Sequence, residues 1–238
     1  MNQGRKIDLA LEAKELAEQG AAESTRLSGG RAREEAAAGY PLTRVEILDQ
    51  EGERALGKPR GTYLTLTLPQ LPQGRQEILR AARGVAEALS SLSALPREGP
   101  VLVAGLGNRR VTPDALGPRT TDLVLVTRHL QGILPGSLRP VAALAAGVTG
   151  STGMESGELL RAVVEAVSPV CLIAVDALAA RRQERVCRTI QVCDTGIVPG
   201  SGVGNARMAL DQKTLGLPVI AVVVPTVVEA ATLCLDLL

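Results

Sequence analysis

Short apolar runs separated by amphipathic stretches dominate the middle and the end of this chain. Val101 to Leu106 is an unbroken apolar run too short for a helix, and similar runs recur at Val141 to Val148, Val170 to Val175 and Pro218 to Val224. Runs of this length read as strands buried on both faces. Between them, Asp114 to Leu130 and Glu155 to Val167 are amphipathic and long enough for crossover helices. The repetition predicts an α/β fold: a mostly parallel central sheet with helices on both faces. Upstream, Arg44 to Gln50 and Gly61 to Pro69 alternate with a period of two, and the polar stretch between them suits a β-hairpin or a longer connection. Gly74 to Leu92 carries apolar residues at helical spacing. Residues 7–39 are rich in Ala, Glu and Arg, broken by Gly29 and Gly30, and poor in large apolar side chains. They predict an N-terminal helical arm, mobile or docked. The compositional shift near residue 40 separates this arm, 1–39, from an α/β domain, 40–238. No repeat of fixed period is present.

Composition narrows the picture. At 238 residues and 45% hydrophobic content the chain can bury a large core. Its 26 Lys and Arg nearly cancel its 25 Asp and Glu, so no global field argues for nucleic acid or an anionic membrane as partner. No apolar run approaches the roughly 20 residues that span a bilayer, and MNQGRKIDLALEAKELAE carries charges where a signal peptide needs apolar residues. A cytoplasmic location is expected. The four cysteines, Cys171, Cys187, Cys193 and Cys234, form no CxxC pair, and three lie on apolar segments where a thiol acts as a small hydrophobe. With no Trp or Phe, and only Tyr40 and Tyr63, few side chains are available to stack on nucleobases.

Ligand sites in parallel sheets collect beyond the carboxyl ends of the strands. Two aspartates fall there: Asp114 in VLVAGLGNRRVTPDALGP and Asp176 in PVCLIAVDALAARR. Carboxylates at adjoining strand ends have coupled protonation, the requirement of general acid-base hydrolysis. Thr112 and Pro113 suit the start of a helix, which would set Asp114 in its positive field. Arg181, Arg182 and Arg185 follow Asp176 and, on a helix, would lie within three turns of it. The glycines of GLGN, Gly105 and Gly107, with Asn108, allow a tight turn whose amides approach the cleft; Arg110 stands where a dinucleotide fingerprint needs its third glycine. Asp194 in DTG is a single copy on a parallel α/β pattern, which argues against a retroviral-type protease. GSGVGN, Gly200 to Asn205, lacks the Lys of a phosphate loop and reads as a close-packed cleft wall. The one histidine, His129, sits in the expected helix LVLVTRHL, with no nucleophile elbow to serve. No standard zinc spacing is present and no cofactor is called for.

These segments carry a resemblance. VLVAGLGNRRVTPDALGP, LVTRHL, GVTGSTGMES, AVDALAARRQERV, CDTGIVPGSGVGNARMAL, TLGLPVIAVVVPTVV and IDLALEA look like the germination protease of spore-forming bacteria, over about Ile7 to Val228. The resemblance implies a fold related to hydrogenase-maturation endopeptidases, a homotetramer, a zymogen, and degradation of small acid-soluble spore proteins in the spore core during germination. It also implies an atypical aspartic-type endopeptidase whose catalytic aspartates match Asp114 and Asp176. Asp194 matches a family motif and is carried over as cleft architecture. Because family substrates are cut next to Glu, Arg181 and Arg185 become candidate substrate-binding residues, along with the Gly105, Gly107 and Asn108 turn. Related maturation peptidases hold nickel with carboxylates and a histidine, so a metal-dependent endopeptidase is one alternative. A non-catalytic binding paralogue is another. The chain departs from the family pattern in three places: it has only MNQGRK before IDLALEA, Ile7 where relatives have Thr, and Leu238 as its end where relatives continue.

Overall fold

The computed structural model describes residues 8–20, 29–133, 138–200, 207–228, 230 and 234. In chain order the elements are α1 (Ala10–Gly20), β1 (Gly30–Ala37), β2 (Tyr40–Ile47), α2 (Gln50–Leu56), β3 (Gly61–Thr67), α3 (Gly74–Ser90), β4 (Val101–Leu106) and α4 (Leu116–Leu123). There follow β5 (Val141–Gly147), α5 (Thr149–Thr152), α6 (Ser156–Val167), β6 (Cys171–Ala180), β7 (Thr189–Cys193), α7 (Gln212–Leu215) and β8 (Val219–Val228). The eight strands hydrogen-bond in the order β1-β2-β3-β7-β8-β6-β4-β5. The fold is α/β, as the sequence pattern predicts, with β4 parallel to both β5 and β6. The chain divides into two compact units, one of Met1–Leu92, Leu178–Thr195 and Val224–Leu238, the other of Ser93–Ala177 and Gly196–Val223.

In the first unit β1, β2, β3 and β7 form consecutive antiparallel ladders. The expected helical arm is helical only in part, because Gly30–Ala37 is a strand. Its register with β2 sets Arg31 opposite Glu46 and Glu35 opposite Leu42, two positions from Arg44 on the same face. Ion pairs Arg31–Glu46 and Arg44–Glu35 lace the two strands together, and this cross-strand charge outweighs the helical preference of Ala, Glu and Arg. Ala38 and Gly39 join β1 to β2 with φ of 48° and 76°, the pair of positive values a two-residue hairpin needs. Between β2 and β3 the connection is the longer kind, holding α2. Its N-cap Asp49 accepts the amides of Glu51 and Gly52, and Gly57 closes it in the left-handed region.

The second unit holds the parallel strands. β4 is buried at every residue. Leu102, Ala104 and Leu106 join one apolar cluster with Leu160, Leu172 and Leu210, whereas Val101 and Val103 join another with Val175. A strand whose alternate residues enter two cores must be apolar throughout, which is why its sequence is an unbroken run. The helix expected over Asp114 to Leu130 is broken into a single 3₁₀ turn at Thr112–Asp114, α4, and another 3₁₀ turn at Arg128–Leu130 that contains His129. The break has a cause in Thr127, whose amide donates to the Val141 carbonyl and whose Oγ1 accepts the Val141 amide. The chain here extends β5 by two bonds rather than continuing the helix.

Candidate active site

Both aspartates belong to the second unit and to the same end of its parallel strands. The ladder between β4 and β6 runs to Gly105 opposite Val175, so Asp176 is the first β6 residue past its last rung. It does not end the strand, as its sequence suggested: β6 continues to Ala180. DALAA is therefore strand, Arg181 and Arg182 bend away from it and Arg185 lies in a 3₁₀ turn, so the three arginines do not follow Asp176 on one helix. Asp176 is 6% exposed and its Oδ1 accepts the Ala177 amide at 2.8 Å.

Asp114 reaches the same end through the turn after β4. Its Oδ2 accepts the Asn108 amide at 2.6 Å, folding the carboxylate back over the turn. Gly107, with φ of 102°, makes this possible, because a Cβ there would lie 2.2 Å from the Asp114 carbonyl and 2.8 Å from its Oδ1. The Asn108 amide is thus already committed to Asp114. Asn108 Oδ1 in turn accepts the Arg110 amide.

What brings the two segments together is backbone contact at a glycine the sequence reading passed over. A Cβ on Gly117 would lie 2.3 Å from the Leu106 carbonyl oxygen, 2.4 Å from that of Val175 and 2.5 Å from the Leu106 amide. A Cβ on Gly105 would meet the Gly117 carbonyl at 2.2 Å. The first turn of α4 therefore rests directly on the carboxyl ends of β4 and β6, three residues after Asp114 and one before Asp176. Only a side-chain-free pair permits that approach.

The same end of the strands carries a polar network. Arg207 Nη1 donates to Glu155 Oε1 at 2.5 Å and to Thr149 Oγ1 at 2.8 Å, and Thr149 Oγ1 donates to Glu155 at 3.1 Å. Thr149 and Glu155 lie on the segment after β5, whose Gly147 pairs with Leu106. The sequence reading had not singled out Arg207, two residues after GSGVGN; residues 201–205 of that motif, with Ala206, lie outside the described part of the chain.

The remaining candidates lie in the first unit. Asp194 Oδ1 accepts the Thr62 amide at 2.7 Å, at the start of β3. The Arg181 amide donates to both oxygens of Glu12 at 3.0 Å, and the Arg182 amide to one at 3.2 Å. Arg185 pairs with Glu15 at 2.5 Å and with Glu12 at 3.8 Å. Glu12 is 1% exposed, and burial pushes its carboxyl above the ordinary range despite the lowering effect of the two amides and Arg185. Asp8 accepts the Ala179 amide, and its carbonyl accepts Lys58 Nζ at 2.8 Å. Burial pushes the Cys193 thiol up, and Cys171 is also buried, in keeping with the packing role read for these thiols. Cys187 and Cys234 are exposed. Among the described residues no group of three His, Cys, Asp or Glu side chains is arranged to hold a metal ion, and no helix is long and apolar enough to cross a membrane.

The profile of one protein family, described as germination protease, matches residues 10–238. The chain belongs to the germination protease family. It is 47% identical over 98% of its length to a germination protease of Caldanaerobacter subterraneus, 48% over 82% to one of Clostridium perfringens, and 44% over 97% to one of Bacillus cytotoxicus. The matches span 72%, 62% and 65% of those proteins. For a germination protease family member, the fold assigns the family-like segments two kinds of work. TPDALGP and AVDALA meet at the ends of β4 and β6, while IDLALEA supplies the carboxylates that hold β6 beyond them.

Proposed function

We propose that this chain is an endopeptidase of spore germination in which Asp114 and Asp176 direct the attack of water on a peptide bond. The observation that supports this most is the seating of Gly117 on the Leu106 and Val175 carbonyls, since it ties both aspartate-bearing segments to one end of one pair of strands. One carboxylate removes a proton from water as the oxygen bonds to the peptide carbonyl carbon. The other, protonated, gives its proton to the amine nitrogen as the carbon–nitrogen bond breaks. No covalent acyl-enzyme is formed, and the turnover ends with the proton exchanged between the two acids.

The resemblance supplies the finer reading: small acid-soluble spore proteins as substrates, a zymogen form, a homotetramer, and action in the spore core. Incubation of the purified protein with a small acid-soluble spore protein tests it. Cleavage by the wild type and its loss in both Asp114→Asn and Asp176→Asn, with circular dichroism unchanged, is the expected result. Equal cutting by all three proteins sinks the assignment of the pair.

A further inference from the structure

We propose that the open edge of β5 is an exosite that takes the polypeptide substrate as an added strand, holding its main chain about four to six residues from the bond that is cut. The proposal rests on the assignment of Asp114 and Asp176 above, and β4, β5 and both aspartates belong to one unit of the chain.

Three observations carry it. First, the edge is open. β5 is the last strand in the order and pairs only with β4. In a parallel ladder alternate residues turn their amide and carbonyl to the neighbouring strand, and the residues between them turn theirs away. The Val101 amide donates to the Pro140 carbonyl at 2.9 Å and Val101 stands opposite Val141, so the main chain of Val141, Ala143 and Ala145 faces outward. Val141 shows the direction, since its carbonyl accepts the Thr127 amide and its amide donates to Thr127 Oγ1, both at 2.9 Å. Among the described residues, none takes up the outward groups of Ala143 and Ala145.

Second, the edge is unguarded. Proteins blunt a strand edge with charge, with proline or with a covering segment. β1, at the other end of the strand order, carries Arg and Glu in alternation with Ala, whereas β5 reads VAALAAG, with neither charge nor proline, and Ala145 is exposed. Side chains this small let a passing main chain approach without having to match its side chains. Such an edge recognises polypeptide through its backbone.

Third, position and size identify the occupant. Ala145 is level with Gly105 and, through β4, with Val175, the residue before Asp176. A strand laid beyond β5 stands three spacings from β6 in the order β6-β4-β5, about 14 Å at roughly 4.8 Å each. Extended polypeptide advances about 3.3 Å per residue, so a chain whose scissile bond is at Asp176 reaches Ala145 and then Ala143 with residues about four to six from the cut. Ala143 and Ala145 offer one amide and one carbonyl each, and each bond made there is worth roughly 5-fold in affinity. That grip suits a chain that must leave after each turnover. It is far too small for a lasting contact between subunits, which needs on the order of 1,200 Å².

The test uses the full chain and peptides built around a cut mapped by mass spectrometry in a small acid-soluble spore protein. Lengthening the peptide on one side of that bond from about three to about eight residues is expected to lower KM about 10- to 100-fold, with kcat little changed. N-methylation of the main chain at the fourth to sixth residues should return KM to the short-peptide value, whereas replacing their side chains by Ala should not. Ala145→Pro removes an outward amide and no ladder bond, and is expected to narrow the gap between long and short peptides roughly 5-fold. Should that variant misfold by circular dichroism, the N-methylated peptides on wild-type protein decide alone. A KM that ignores length, or that falls with length but ignores N-methylation, overturns the proposal and, with Asp114→Asn inactive, leaves the catalytic pair standing. So does a change of oligomeric state in Ala145→Pro, read by ultracentrifugation, with the length dependence intact, since the edge then joins copies of the chain. Cutting by Asp114→Asn at the wild-type rate, or no cut at all by wild type, sinks both readings.

Discussion

Acidic side chains do different work in the two units of this chain. In the first, Glu12 is buried and reaches across more than 160 positions of sequence to bind the amides of Arg181 and Arg182, with Arg185 close by. In the second, Asp114 accepts the Asn108 amide from its own turn, and Asp176 accepts the amide of its strand neighbour Ala177. The long-range acid fixes where a strand goes. The turn that carries Asp114 is itself placed by backbone, through Gly107 and Gly117. The lesson is that burial alone does not mark a reactive carboxylate; what its oxygens are holding together must be asked as well.

The sharpest way to break this contrast is to neutralise each acid in turn. Asp114→Asn and Asp176→Asn should each lower turnover by about 100-fold or more while leaving the unfolding midpoint nearly in place. Glu12→Ala should do the opposite, costing about 2–4 kcal/mol in urea unfolding, because it strands two amides and the Arg185 charge. Gly117→Ala tests the placement itself: forcing a Cβ among three backbone atoms should cost about 1–3 kcal/mol and reduce cleavage together with stability. A finer probe is pH. Because burial raises the Glu12 pKa, the folded state binds its proton more tightly than the unfolded chain does. Stability should therefore fall as pH rises from the ordinary glutamate value near 4.5 to the raised one, and stay level above it. Unfolding of Glu12→Gln across that window should lack this slope. Smallest of all, Asp122→Asn removes an exposed ion pair with Arg109 and should leave the thermal midpoint where it was.

The sequence made the buried strands plain, since β4, with every residue in a core, has no polar position to obscure it. It put Asp114 and Asp176 just past strand ends; Asp176 lies instead within β6, one residue past its last rung with β4, and Gly117 brings the segment bearing Asp114 to the same place. It hid what depends on distant partners. β6 outlasts its apolar run because Asp8 and Glu12 satisfy the Ala179, Arg181 and Arg182 amides, and nothing in DALAARR reveals that. β1 has the composition of a helix and becomes a strand because β2 offers opposite charge. The loss of helix after Leu123 depends on Thr127 bonding to Val141. Glu12 was visible only as part of a family-like motif, while Gly117 and Arg207 were visible only as members of glycine-containing motifs. Their roles arise from contacts that no local pattern encodes.

β1 stands at the end of the strand order, where a bare row of amides and carbonyls would invite a strand from another molecule. Arg31, Arg33, Glu34 and Glu35 occupy that border with charge of both signs. A stray strand adding there would have to desolvate these groups, so the residues that made β1 hard to recognise also guard the protein against polymerising edge to edge.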